Sequence, residues 1–129
     1  MTETQVLHVC IPGRPIAWAR AGRSGHASFT PRRYATWKKK AQAVMLASCG
    51  RRPFTGPVVL KVYAAFGGPG VRRPHVARPD ADNILKGVLD AGNGILWGDD
   101  AQVHHIEMRK ARGDSSGGAY VSVHAEGPA

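Results

Sequence analysis

Acid is what this sequence has least of. Nine aspartates and glutamates stand against eighteen lysines and arginines in 129 residues. The formal charge of +9, with an isoelectric point near 10.3, is too large for an ordinary enzyme of small substrates and points to a polyanionic partner. Long apolar runs are missing too. None approaches the ~18 residues of a membrane span, and no basic amphipathic helix dominates, so nucleic acid is a better candidate than an anionic membrane. The opening MTETQVLHVCIPG lacks the basic start and long apolar core of a secretory leader. Only two cysteines occur, Cys10 and Cys49, which make neither a disulfide framework nor a CxxC pair. Two reduced thiols and a cytoplasmic location are expected. No GxxxxGK[ST] phosphate loop, no EF-hand spacing and no Ser-His-Asp or Cys-His arrangement presents itself.

The scarce acid is concentrated. Before Asp80 there are fourteen basic residues and one carboxylate, Glu3; from Asp80 to Asp100 there are five carboxylates. Clustered carboxylates repel one another unless a cation sits among them, and magnesium or manganese, bound through oxygen, is the usual reason to collect them. A basic body around an acidic focus suits a phosphodiester-cutting enzyme: the body attracts the polyanion and the metal does the chemistry.

The length suits one domain spanning residues 1–129. Val6 to Ile11 reads as a strand, and residues 13–29 as a basic loop rich in Gly, Arg and Ser. Thr30-Pro31 predicts a helix start, with a capping hydroxyl and then proline at the first helical position. Tyr34, Trp37, Ala41, Val44, Met45 and Ser48 recur at helical spacing, and Gly50 supplies the stop. Val58 to Phe66 has strand composition, and the Gly- and Pro-rich residues 67–79 form a second loop. A helix follows from about Asp80 to Asp90, burying Ile84, Leu85, Val88 and Leu89. After the Asn93-Gly94 turn come Ile95-Leu96-Trp97, then strands Val103 to Lys110 and Ala119 to Ala125, joined as a hairpin through Gly113 to Gly118. The expected fold is α/β (α+β), a mixed sheet of about four strands with two helices, in the order β-α-β-α-β-β.

Within the acidic stretch, Asp80 reads as the N-cap or last loop residue and Asp82 as a first-turn residue, both at the positive end of the helix dipole. Capping alone accounts for one of these acids, not for both together with Asp99-Asp100. Asp82, Lys86 and Asp90 follow at i, i+4 and i+8 and so share a face. The tight turn after the helix is expected to bring Asp99-Asp100 back towards Asp80. His104 and His105 alternate faces of a strand, so at most one joins a metal site. The basic residues form three groups: Arg14, Arg20 and Arg23; Arg32, Arg33 and Lys38 to Lys40; Arg72, Arg73 and Arg78. Together they favour a phosphate-binding rim over a merely solvated surface. Trp18 and Phe29 are candidates for stacking on bases, whereas Trp37 belongs to the core.

The stretch RPDADNILKGVLDAGNGILWGDDAQVHHIEMRK resembles the signature of the RusA family of Holliday junction resolvases. That signature reads approximately K-P-D-x-D-N-hydrophobic-x-K, then D-A-hydrophobic-N-G, then D-D-x-Q-V ending in a basic residue. IPGRPIAWARAG resembles the family's opening strand and P-G-x-P loop. Two departures stand out. Arg78 replaces the usual lysine, and Gly92 replaces a bulky apolar residue, which is expected to loosen the helix end. The resemblance implies a homodimeric, magnesium-dependent endonuclease that cuts four-way DNA junctions by paired, symmetric nicks, with manganese able to substitute and no organic cofactor. Asp80, Asp82 and Asp100 match the family's metal-binding acids and Lys86 its helix lysine; Asp90 and Asp99 match accompanying acids. Arg14, Arg20, Arg32, Arg33, Lys38, Arg72, Arg73 and Arg78 are the expected DNA contacts. Residues 95–97 or 121–123 offer apolar surface for a two-fold interface. The rival readings are a passive binder of branched DNA and a nuclease acting on flaps or RNA.

Overall fold

Strand β4 (Val58–Phe66) is the spine of the molecule. Val58, Leu60, Val62 and Ala64 are buried at 0–2% exposure while Lys61 between them is exposed, the period-two pattern of a strand with one covered face. The computed structural model describes residues 3–19, 22–24, 27–29, 31–50, 52–114 and 116–127. Around β4 lie β1 (Glu3–Pro12), β5 (Arg73–Pro74), β6 (Val103–Arg112) and β7 (Gly117–Gly127), in the sheet order β1-β7-β4-β6-β5. β4 and β6 run parallel; the other neighbours are antiparallel. A parallel pair needs a crossover, which α2 (Ala81–Gly92) provides. Helix α1 (Arg32–Cys49) lies beside α2, and the two bury Tyr34, Trp37, Met45 and Val88 with the inward side chains of β1, β4 and β7 in one core. This α+β architecture matches the expected class, with a mixed sheet of five strands where about four were expected.

Four local expectations are corrected. First, β6 and β7 are not a hairpin. The connection between them crosses the end of β4, with Gly113 N–H bonded to Gly67 O and Asp114 N–H to Gly70 O, so β7 enters on the far side of β4. There β7 is flanked by β1 and β4, which buries Ala119, Val121, Val123 and Ala125. Second, the basic loop holds a small hairpin, β2 (Gly22–Ser24) with β3 (Ala27–Phe29). Third, Pro31 is the N-cap of α1 rather than its first helical residue, and it offers no side-chain cap; Thr30 lies outside the described residues. Fourth, Leu96, Trp97, Val121 and Val123 are buried in the chain's own core, which removes them from any interface between copies. Gly50 does end α1, in the left-handed conformation (φ 62°) that glycine adopts without strain, its N–H on Leu46 O.

Candidate nuclease site

Helix α2 places the acids. Asp80 is its N-cap and Asp82 lies in its first turn. Both are exposed, and among the described residues neither forms an ion pair or a side-chain hydrogen bond; the Asp80 carboxylate makes no capping bond. Capping therefore does not account for them. Lys110, from the end of β6, donates from Nζ to Ala77 O and Pro79 O, each at 2.8 Å. It fixes the loop that delivers Asp80, which gives a structural role to the basic residue that ends the RPDADN…EMRK stretch.

Asp99 and Asp100 stand at the other end of α2. The helix is 12 residues long, which at 1.5 Å per residue makes about 18 Å. Asn93, its C-cap, bridges to Trp97, and the Trp97 indole Nε1 donates to Asp100 Oδ1 at 2.7 Å. The expected return of Asp99-Asp100 towards Asp80 does not occur, because β6 runs parallel to β4 and must begin where α2 ends. Asp99 caps the short 3-10 turn Asp100–Gln102 through a capping box, accepting from Ala101 N–H while Gln102 Oε1 accepts from Asp99 N–H. Gln102 also donates to Phe54 O and Gly56 O, both at 2.9 Å, which anchors the turn to the start of β4. The Q of D-D-x-Q-V is the sequence signal for this anchor. Among the described residues no three His, Cys, Asp or Glu side chains surround one point as metal ligands would. The all-oxygen set suits a hard cation, yet within one chain α2 separates Asp80 and Asp82 from Asp99 and Asp100.

Asp90 follows Asp82 and Lys86 at i+4 steps along α2, and its carboxylate is taken up by α1. It accepts from the Tyr34 hydroxyl and pairs with Lys38 Nζ at 3.0 Å. Burial works to raise the Asp90 pKa, but the Tyr34 hydrogen bond and the Lys38 charge outweigh it and hold the carboxyl below its usual range. Tyr34 is pushed upward by burial and by Asp90. Lys86 lies 5.4 Å from the centre of the Trp18 ring, and Trp18 N–H bonds to Asn83 O, so the first loop runs along α2. Trp18 packs against the core and carries Lys86 above it, and Trp37 is buried as expected.

The expected DNA contacts divide by position. Arg14, Arg33 and Arg78 line a groove of about 460 Å³ together with Tyr34, Asp80 and Asn83. Arg32 stands exposed in the first turn of α1. Arg72 is paired with Asp114 at 3.3 Å and lies over Tyr63, and Arg73 bonds to Val71 O at 3.1 Å. Arg20, and the side chains of Arg23 and Phe29, lie outside the described residues. The groove end of the sheet is electropositive. His75, stacked on Phe66 at 3.9 Å, has its pKa lowered by burial and then by Lys110, Arg14 and Arg112.

A family model described as endodeoxyribonuclease RusA matches residues 12–124, which takes in the groove, α2 and the Asp99-Asp100 turn. The chain belongs to the RusA family. As a RusA protein it is a nuclease, of the kind that resolves Holliday junctions. It is also 32% identical over 117 residues to the uncharacterized protein YqaN of Bacillus subtilis strain 168, an alignment covering 76% of this chain and 82% of the relative. In this RusA chain the departure at Gly92 has a steric cause. A Cβ there would lie 2.9 Å from the buried Trp97 ring, so the helix end is tightly filled rather than loosened.

Proposed function

We propose that residues 1–129 act as one endonuclease domain that resolves four-way DNA junctions by paired, symmetric nicks, as a magnesium-dependent homodimer working in the cytoplasm. The observation that carries this reading is the Asp80–Asp82 pair at the head of α2, two carboxylates with no ion pair or side-chain hydrogen bond among the described residues, Asp80 lining the groove with Arg14, Arg33 and Arg78. Unneutralised acids beside a phosphate-binding groove would repel DNA unless a cation lay between them. Magnesium, or manganese in its place, would supply Lewis acidity towards the scissile phosphate and a more acidic bound water. The groove arginines hold the backbone phosphates on either side. Lys86, one turn beyond Asp82, supplies positive charge where the phosphoryl group becomes more negative.

Asp100, the third acid, is too far along α2 to join Asp80 in the same chain. We infer that it meets the Asp80–Asp82 pair of a second copy, which makes the dimer a requirement of the site. A two-fold dimer also matches the approximate two-fold symmetry of a four-way junction and sets one site on each of two opposed strands.

The test incubates the protein with synthetic four-way, flap and linear duplex DNA, with and without magnesium. Cleavage confined to the four-way junction, requiring magnesium and abolished by a chelator, is expected. Equal cutting of linear duplex or cutting in the chelator contradicts the proposal. Tight junction binding with no cleavage by either metal identifies a passive binder, and preferential cutting of flaps identifies the other nuclease class.

A further inference from the structure

Exposed apolar side chains are spread unevenly over the surface. Among the described residues Val76, at 93% exposure, and Val71, at 81%, stand apart from the next, Val6 at 48%. Both lie in the connection 67–79 that leads from β4 towards α2. A loose loop can turn such side chains back onto the protein and out of water. Val76 is denied that by its anchors. His75, before it, donates from its N–H to Lys110 O at 3.4 Å, and Ala77 O, after it, accepts from Lys110 Nζ at 2.8 Å. One residue of β6 thus clamps the main chain on both sides of Val76 and holds its side chain in solvent.

The clamp also sets Val76 at the rim of the groove. His75 stacks on Phe66, and the Arg14 guanidinium lies over the same ring at 5.1 Å. Arg78, two residues beyond Val76, lines the groove with Arg14. Neither of these arginines, nor Arg73 in the same loop, forms an ion pair among the described residues. An apolar partner seated here would bury those charges without neutralising them. DNA offers phosphates to the arginines and base faces to the valine. Trp18, the expected stacking residue, is packed against the core, which leaves Val76 as the most exposed apolar group at this rim among the described residues.

We propose that Val76 is a wedge that enters the base stack at the centre of a four-way junction, beside the phosphates that Arg14 and Arg78 hold. This rests on the nuclease reading and adds a residue that selects its substrate. An apolar wedge unstacks a base step at a cost in free energy. The cost is least where stacking is already interrupted, as at a branch point, and largest in continuous duplex. Valine is short and stiff about its first torsion. It fits a step already parted and is poorly suited to opening an intact one. Discrimination between branched and linear DNA then comes from a side chain that touches neither phosphate nor metal ligand.

The experiment places 2-aminopurine, whose fluorescence rises when it unstacks, beside the branch point of a synthetic four-way junction and at the same step of a linear duplex. The full chain carries Asp82→Asn, so that bound DNA stays whole, alone and combined with Val76→Ser, Val76→Leu or Val71→Ser. Side chains this exposed can be changed without disturbing the core. Binding should brighten the junction probe and leave the duplex probe dark. Val76→Ser should shrink the rise at least about threefold, while Val76→Leu and Val71→Ser keep it. With Asp82 intact, Val76→Ser should cut the junction at least about tenfold more slowly. A rise that is absent from the parent, unchanged in Val76→Ser, or lost equally in Val71→Ser overturns the wedge, whether or not the junction is cut. A rise that depends on Val76, in a chain that with Asp82 intact cuts no DNA, refutes the nuclease reading and leaves the wedge standing.

Discussion

The buried indole of Trp97 donates from Nε1 to Asp100 Oδ1 at 2.7 Å, tying an exposed carboxylate to the core of the protein. The bond aims the second oxygen of Asp100 outward and limits its rotamers. Trp97→Phe removes the donor and leaves a small void under the ring, at a stability cost of about 1–3 kcal/mol. Junction cleavage is expected to fall at least about tenfold at a temperature where the variant is folded, because a catalytic group loses its aim. Junction affinity should barely change. Unchanged cleavage with a lowered melting temperature would show that the indole is only a packing element.

The pairing of Asp90 with Tyr34 and Lys38 predicts a pH-dependent contribution to stability. Its folded pKa lies below the ordinary carboxylate value, so the contribution is present at neutral pH and is lost as pH falls through that range into acid. Asp90→Asn should cost about 1 kcal/mol at neutral pH, a modest figure because the side chain is 41% exposed and screened. The melting-temperature gap between wild type and variant should close as the solution is acidified. A gap independent of pH would contradict the pairing.

The groove arginines predict a graded salt effect. Replacing Arg14, Arg33 or Arg78 by alanine should flatten the log–log salt dependence of junction binding by about 0.9 for each lost phosphate contact. Arg72→Ala should flatten it less, because Asp114 already neutralises much of that charge. Fluorescence anisotropy across a salt series measures both. Equal slopes for the wild type and the three groove variants would reduce those arginines to solvated surface.

Much of the fold was legible because it depends on local pattern. The spacing of Tyr34, Trp37, Ala41 and Met45 marks α1, Gly50 its end, and alternation in Val58–Phe66 the central strand. What local pattern does not encode is which strands become neighbours. The glycines and serines between β6 and β7 suit a hairpin, yet β4 gains a partner on each edge only if β7 crosses over. The same parallel pairing separates Asp100 from Asp80, so the acids could be picked out by type and spacing while their relative placement could not. Lys38 reads as a DNA contact in sequence and Asp90 as an acid accompanying the metal ligands; only the packing of α1 on α2 reveals them as partners. Gly92 reads as a weak helix end until the Trp97 ring is set beside it.

The measurement that bears most directly on the central claim mixes two inactive variants. Asp82→Asn and Asp100→Asn are each expected to bind four-way junctions and to leave them uncut. Unfolded together and refolded as mixed dimers, they should recover cleavage. One site of each mixed dimer would carry both substitutions, and the other would combine an intact Asp80–Asp82 pair with an intact Asp100. On a supercoiled cruciform plasmid that single site should yield nicked circles, where the wild type yields linear product. A mixture as inert as either parent, with mixed dimers confirmed by mass, would contradict a site assembled from two copies.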